Sequence, residues 1–271
     1  MTHSARYEVK HREWDIGSVL LIGERNLKGL VVSLHPEALI RVGILEKIAG
    51  ILAKRGISII LLRTNATRDY FETLIFIDIT DTKADINEVI KEILSVEAVK
   101  HVELIDPLAD GLIVDYLHYP PTILGQRAII LRKPLWDAFI RGGYERFGEA
   151  HAVFLYHLGR NAGLSGYKAH EGLIGYNPKS LIALAESFFK ICGFGVLKIE
   201  KVREEPPIAV VRVYNSCECE LFLGSKRPSS HFIRGLMAGW FCGFFRKDMS
   251  AEEVECIAKG DKSCMFRVYR A

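Results

Sequence analysis

Hydrophobic and polar positions change their spacing several times in the first hundred residues. Short runs rich in β-branched and aromatic residues predict strands at residues 29–34, 57–63, 70–79 and 99–105. Apolar residues three and four positions apart predict amphipathic helices at residues 42–55 and 84–94. The order βαββαβ is typical of a split βαβ sandwich, with two helices on one side of an antiparallel sheet.

The pattern after residue 124 predicts several helices packed on a second antiparallel sheet. Helices are predicted at 133–157, with a break or bend at Gly142-Gly143, at 181–192 after the N-cap Asn177, and at 229–245. Asn161 to Tyr167 contains two glycines and is predicted as a helix end and loop. Strands are predicted at 196–205, 208–223 and 265–269. The fold class of the whole chain is therefore α+β.

These patterns predict two domains. The expected limits are an N-terminal extension at 1–27, a first domain at 28–107, a linker at 108–123 and a second domain at 124–271.

Composition narrows the class of protein. Hydrophobic residues make up 49% of the 271 positions and charged residues 25%, which are ordinary globular values. The net charge is +3 and the positively charged residues are dispersed along the sequence, which argues against a dedicated nucleic-acid surface. The N-terminal residues lack the apolar core of a signal peptide, and the apolar runs are far shorter than the roughly 20 residues that span a bilayer. We therefore expect a cytoplasmic protein without membrane contact.

The six cysteines all follow Lys190, which favours a local site over a disulfide scaffold. Cys256 and Cys264 flank a Gly-Asp turn, so a hairpin brings their thiols together. Glu253 lies three residues before Cys256 and shares its side on a helical turn, whereas on a regular strand it faces away. Cys and Glu side chains are both zinc ligands, so the hairpin is a candidate metal site.

The first domain resembles the ACT domain, a regulatory module of amino-acid pathways. The resemblance lies in the helix start Gly43-Ile44-Leu45, the helix that follows, and the strand Gly56-Ile57-Ser58-Ile59. It implies a pocket at the mouth of the helix, with His35, Arg41, Gly43 and Ile44 as candidate wall residues. Arg41-Val42 replace the Pro-Gly pair that is usual before the helix, which changes the expected pocket. Two alternatives therefore stay open: the domain binds an amino acid, or it only pairs subunits.

The second domain resembles the vinyl-4-reductase domain, a family that includes sensory domains of aromatic-responsive activators. Glu253, Cys256, Gly260 and Cys264 match its C-terminal motif, and Gly235 and Gly239 match its helix glycines. The resemblance implies an apolar ligand cavity and a zinc ion bound by Glu253, Cys256 and Cys264. The resemblance also implies a further cysteine ligand at the start of the glycine-rich helix. Ser230 or His231 occupies that position here, so the fourth ligand is either His231 or Cys219.

Three interpretations of the cysteine cluster remain open: structural zinc, a Cys256–Cys264 disulfide, and reduced thiols without metal. A catalytic zinc is the less favoured alternative, because it needs an open water position.

Together these features predict a homodimeric small-molecule-sensing regulatory protein that passes its output to a protein partner. The alternative is a subunit of a tetrapyrrole-type vinyl reductase, and a third interpretation is a structural scaffold. An enzyme is less favoured, since the sequence offers no nucleotide-binding loop and no candidate proton donor.

Overall fold

The computed structural model describes residues 15–66 and 71–271, so residues 1–14 of the extension predicted for 1–27, and Tyr70 of the strand predicted for 70–79, lie outside the described residues. The chain forms two compact units, divided between Ala128 and Ile129. The segment predicted as a linker, 108–123, lies with the first unit. The domain limits inferred from the sequence otherwise stay predictions.

The first unit contains the predicted βαββαβ order. Its elements are β1 (Val19–Leu21), β2 (Leu27–Leu34), α1 (Ile44–Lys54), β3 (Ser58–Ala66), β4 (Phe71–Asp78), α2 (Ile86–Leu94), β5 (Val99–Ile105), β6 (Leu112–Val114), β7 (Thr122–Ile123) and β8 (Gln126–Arg127). Strands β3, β4, β2 and β5 pair in that order in one antiparallel sheet.

Both faces of this sheet contribute residues to a buried cluster. On one face Val32 and Ile75 are buried with Ile48 of α1 and Val89 of α2. The other face is partly covered by the short β1–β6 pair, since Ile113 of β6 belongs to one buried cluster with residues of β2, β4 and β5. Segments flanking the βαββαβ core therefore complete the first unit.

The second unit contains five helices and four strands among the described residues 129–271. They are α3 (Lys133–Asp137), α4 (Gly143–Phe147), α5 (Glu149–Ile174), α6 (Pro178–Ile191), β9 (Val196–Arg203), β10 (Ile208–Tyr214), α7 (Phe232–Phe245), β11 (Met249–Glu255) and β12 (Cys264–Arg270). The strands form an antiparallel sheet in the order β11, β12, β10, β9, which confirms the predicted fold class. The inner face of the sheet shares one core with α6 and α7.

Helices α5 and α7 pack backbone against backbone through glycines. A Cβ added at Gly159 would overlap the Phe232 carbonyl oxygen, and one at Gly235 would overlap the Tyr156 carbonyl oxygen. The prediction of a helix end and loop at 161–167 was wrong, because this segment lies inside the 26-residue α5. Its Gly163 permits close helix packing and does not end the helix.

Two further boundaries differ from the sequence predictions. The helix predicted at 133–157 is interrupted at Gly148, whose φ of 57° lies in the region that favours glycine, and residues 138–142 form a π-turn. The strand predicted at 208–223 ends at Tyr214, because Asn215 takes a φ of 51°. Residues 219–222 instead form a 3-10 turn, which contains Cys219.

Within the part of the chain that the structure describes, no helix combines the length and the apolar character needed to cross a membrane.

Candidate metal centre and ligand cavity

A β-bulge in β11 places Glu253 and Cys256 on the same side of the sheet. The pairing of β11 with β12 shifts by one residue between Glu253 and Glu255, so Val254 is an extra residue in the strand. Glu253 and Cys256 are consequently both buried, although their spacing of three on a regular strand would turn one of them outward.

The turn between β11 and β12 brings Cys264 back to Cys256. Residues 257–259 form a 3-10 turn, and Gly260 ends it with a φ of 100°. The Asp261 carboxylate accepts the backbone N–H of Cys256 at 2.8 Å, which fixes the turn. Cys264 then begins β12 with its side chain completely buried.

Cys219 completes a four-residue group, which we call the metal cluster: Cys219, Glu253, Cys256 and Cys264. One ligand atom from each residue lies within 4.8 Å of all the others, and all four residues are buried. The Sγ atoms of Cys219 and Cys256 are 3.5 Å apart, and the Cys219 Sγ lies 3.6 Å from the Glu253 Oε1. All six cysteines are free, so no disulfide links Cys256 to Cys264 in this structure.

Of the two candidates for the fourth ligand, the structure brings Cys219 into the metal cluster and leaves His231 outside it. The His231 ring stacks on Tyr144 with ring centroids 5.9 Å apart. Burial lowers the pKa of His231, and the nearby Arg234 adds to this effect.

The electrostatics of the metal cluster favour a cation. Hydrogen bonds with Cys219 and Cys264 hold the pKa of the Cys256 thiol well below its usual value. Hydrogen bonds with Cys256 and Cys264 raise the pKa of Cys219, and burial adds to this effect. Burial, together with the neighbouring Cys256, raises the pKa of Glu253 to about 8.

The donor set fits a tetrahedral zinc ion. With Zn–S distances of about 2.3 Å and Zn–O distances of about 2.0 Å, a tetrahedron requires roughly 3.8 Å between two sulfur atoms and roughly 3.5 Å between sulfur and oxygen. The observed 3.5 Å and 3.6 Å are close to these values. Backbone N–H groups of Ser229 and Ile257 also point at Cys256 and Cys264, respectively, and stabilise negative charge on sulfur.

Glu218 is a buried carboxylate that the sequence analysis missed. Its two oxygens accept the backbone N–H groups of His231, Phe232 and Ile233, each at 2.8 Å. It thereby caps the N-terminal end of α7 from a distant part of the chain. Burial raises its pKa to about 7 even though these hydrogen bonds oppose the rise. Nothing in the local sequence around Glu218 signals this role, because the partners lie 13 to 15 residues away.

An apolar cavity of about 270 Å³ lies between α5, α6, α7 and the sheet. Its wall is formed mainly by aromatic and aliphatic side chains and by glycines, including Gly166, Phe188, Leu197, Leu236 and Trp240. His170 is its main polar group. The indole Nε1 of Trp240 donates to the His170 Nδ1 at 3.3 Å, which leaves Nε2 to carry the proton of the neutral ring. Burial lowers the pKa of His170, so the neutral form is favoured.

The predicted ligand residues of the first unit are only partly brought together. His35 and Arg41 line a separate pocket of about 270 Å³, and Arg41 pairs with Glu97 there at 3.1 Å. Gly43 lies at the start of α1 with a φ of 89°, and Ile44 is buried in the core; neither lines this pocket. The four-residue binding site remains a prediction.

Family models match both units. The model of the ACT domain matches residues 37–98, and the model of the vinyl-4-reductase domain matches residues 209–270. These matches confirm both resemblances that the sequence indicated.

Relatives with similar sequences occur in Methanocaldococcus jannaschii. The chain is 35% identical over 92 residues to the uncharacterized protein MJ0745, which covers 34% of this chain and 48% of that protein. It is 30% identical over 95 residues to the uncharacterized protein MJ1460, which covers 34% of this chain and 56% of that protein. The chain thus spans about half the length of these relatives.

Solved structures that match part of this chain include a sensory domain and a vinyl-4-reductase family protein. The phenol-responsive sensory domain of the transcription activator PoxR, solved with phenol, is 15% identical with a TM-score of 0.49, and the match covers 54% of this chain and 77% of that one. The vinyl-4-reductase family protein, from Methanocaldococcus jannaschii, is 21% identical with a TM-score of 0.39, covering 53% and 84%.

Proposed function

Because the chain contains an ACT domain and a vinyl-4-reductase domain, we propose that it is a regulatory protein that senses small molecules. In this proposal the second unit holds a compact, mostly apolar ligand in the cavity between α5, α6 and α7. The observation that carries the proposal is the cavity itself, which is lined by apolar side chains and one histidine.

The dimensions of the cavity favour a single-ring ligand. An apolar cavity of about 150 Å³ is large enough for benzene, and drug-sized ligands occupy pockets of about 300 to 1,000 Å³. A volume of about 270 Å³ lies between these limits. The Nε2–H of neutral His170 is suited to donate a hydrogen bond to a hydroxyl or carbonyl oxygen. We therefore expect a ring-sized apolar body with one oxygen substituent.

Zinc is the metal that we propose for the metal cluster. Three thiolates and one carboxylate make a closed, four-coordinate site, which is typical of structural rather than catalytic zinc. Such an ion would tie the β11–β12 turn to the 3-10 turn that contains Cys219. We propose no chemical step at this site.

The first unit is proposed to bind an amino acid or to pair two subunits. The segment before α1 presents Val42 fully exposed and Ile40 at 87% exposure, directly beside the pocket that contains His35 and Arg41. Large apolar side chains exposed beside a pocket favour contact with another protein surface, here a second copy of the chain. Light scattering of the full chain and of its Val42→Asp variant tests this: we expect a dimer that dissociates in the variant.

The sensing function is tested by titrating the zinc-loaded full chain with ring compounds. We expect 4-fluorophenol to bind, observed by ¹⁹F NMR, and free glycine to leave the cavity residues unperturbed. Native mass spectrometry of protein from its source adds the identity of any retained molecule. Failure of every single-ring compound to bind would contradict the proposal, and a retained tetrapyrrole would favour the reductase-subunit alternative.

A further inference from the structure

The backbone N–H groups at the N-terminal end of α7 are bound by the metal cluster and its immediate neighbour. The backbone N–H groups of residues 230–233 all donate to carboxylates: the first to Glu253 at 3.0 Å, and the next three to Glu218. Glu253 is a member of the metal cluster, and Glu218 directly precedes its member Cys219. Hydrogen bonds therefore link the helix end directly to the metal cluster.

The same helix forms one wall of the cavity. Its contributing side chains are Phe232, Leu236, Met237, Trp240 and Phe241. Phe232 is both the first residue of α7 and a donor to Glu218. A displacement of this helix end consequently alters the shape of the cavity.

Glu253 and Glu218 both connect the metal cluster to the start of α7, and Glu218 makes more of the hydrogen bonds. It is completely buried, its carboxylate accepts three backbone N–H groups, and the Ser230 hydroxyl donates to it at 3.3 Å. A carboxylate at the N-terminal end of a helix is stabilised by the free N–H groups and by the helix dipole. Because Glu218 and Cys219 are adjacent in one short turn, a bound Cys219 sulfur restricts where the Glu218 carboxylate can lie.

We infer that Glu218 is a positioning residue that couples the metal cluster to the cavity, so that a metal ion and a cavity ligand each raise the affinity of the protein for the other. This inference rests on the proposed ligand-binding function of the cavity. Coupling between two sites is reciprocal, and factors of about 5 to 150 are typical.

The experiment measures this coupling as a ratio. The dissociation constant of 4-fluorophenol is measured by ¹⁹F NMR on the full chain, with one equivalent of Co²⁺ and after removal of the metal by a chelator. Thiolate-to-cobalt absorption reports the metal independently of the probe. For the wild type we expect binding to be about 10-fold tighter with metal.

Glu218→Gln should reduce that ratio to nearly one. The carboxylate accepts hydrogen bonds through both oxygens, whereas the Gln amide keeps only one acceptor oxygen and turns its NH2 group, a donor, toward backbone N–H groups that also donate. The cobalt absorption should persist, since all four members of the metal cluster remain. Glu220→Gln is the matched control: Glu220 lies in the same turn, is paired with Lys133 at 3.1 Å and should leave the ratio unchanged. If Glu218→Gln does not fold, Ser230→Ala replaces it, and its ratio must fall below that of the wild type.

A wild-type ratio near one overturns the inference, as does a wild-type ratio retained in Glu218→Gln or in its substitute. Absence of 4-fluorophenol binding to the metal-loaded wild type is a different result, because it contradicts the proposed function of the cavity itself.

Discussion

Gly163 of α5 lies against the backbone of Leu236 of α7, so closely that a side-chain carbon at Gly163 would overlap the Leu236 carbonyl oxygen. Leu236 itself lines the cavity beside Gly163. The helix pair that forms the cavity wall thus depends on the absence of a side chain at this position.

Gly163→Ala is expected to destabilise the protein, because the added methyl group forces α5 and α7 apart. Overpacking of this kind costs about 1–3 kcal/mol. Gly172→Ala is the matched control: Gly172 lies on the same helix with no atom near its potential Cβ, and alanine there should stabilise the helix by up to about 1 kcal/mol. Urea unfolding of the zinc-loaded chain measures both changes. Equal stability of the two variants would contradict the packing described here.

Cys219→Ser is expected to weaken metal binding at least about tenfold, because it removes one of four ligands. Cys217→Ser is its control, since Cys217 lies two residues away and outside the metal cluster. His231→Ala should keep the metal, because His231 is also outside the metal cluster. Chelator competition with Co²⁺, followed by thiolate-to-cobalt absorption, measures all three affinities. Loss of metal in His231→Ala with retention in Cys219→Ser would reverse the assignment.

The sequence identified three members of the metal cluster because they lie within twelve residues and match a family motif. It left the fourth open because Cys219 is 34 residues before Glu253, and its position depends on where β10 ends. The extra residue in β11, which turns Glu253 toward Cys256, has no counterpart in hydrophobic periodicity. Only the paired strand β12 reveals it.

The βαββαβ order of the core elements in the first unit followed from periodicity, whereas the short strands β1, β6, β7 and β8 were not predicted. Glycines were harder to interpret in the second unit. A glycine that ends a helix and a glycine that permits close packing have the same sequence signature, so Gly163 was assigned to a loop, whereas Gly148 was missed as a break. Only the neighbouring helix distinguishes the two cases.

Gly166→Leu is expected to block the cavity without disturbing the fold. Gly166 lines the cavity, no atom lies near its potential Cβ, and leucine is a better helix former than glycine. We expect 4-fluorophenol affinity to fall at least about tenfold, since the side chain occupies the space of the ring. Gly172→Leu, on the same helix but outside the cavity, should bind like the wild type. Isothermal titration calorimetry and ¹⁹F NMR measure the difference, and unchanged affinity in Gly166→Leu would place 4-fluorophenol elsewhere.

His170 should make folding stability depend on pH in a defined direction. Burial lowers its pKa from the ordinary value of 6.5, so near and below pH 6.5 the unfolded chain binds more protons at this residue than the folded chain does. Stability is therefore lost as the pH falls from 7 toward 5. His170→Gln keeps an acceptor for the Trp240 indole and removes this titration, so its stability should fall less over that range. His157→Gln, on the exposed face of the same helix, is the control and should follow the wild type. Urea unfolding at pH 7, 6 and 5 measures how the free energy of unfolding changes with pH in the wild type and in the two variants. The same pH dependence in His170→Gln as in the wild type would show that His170 is not responsible.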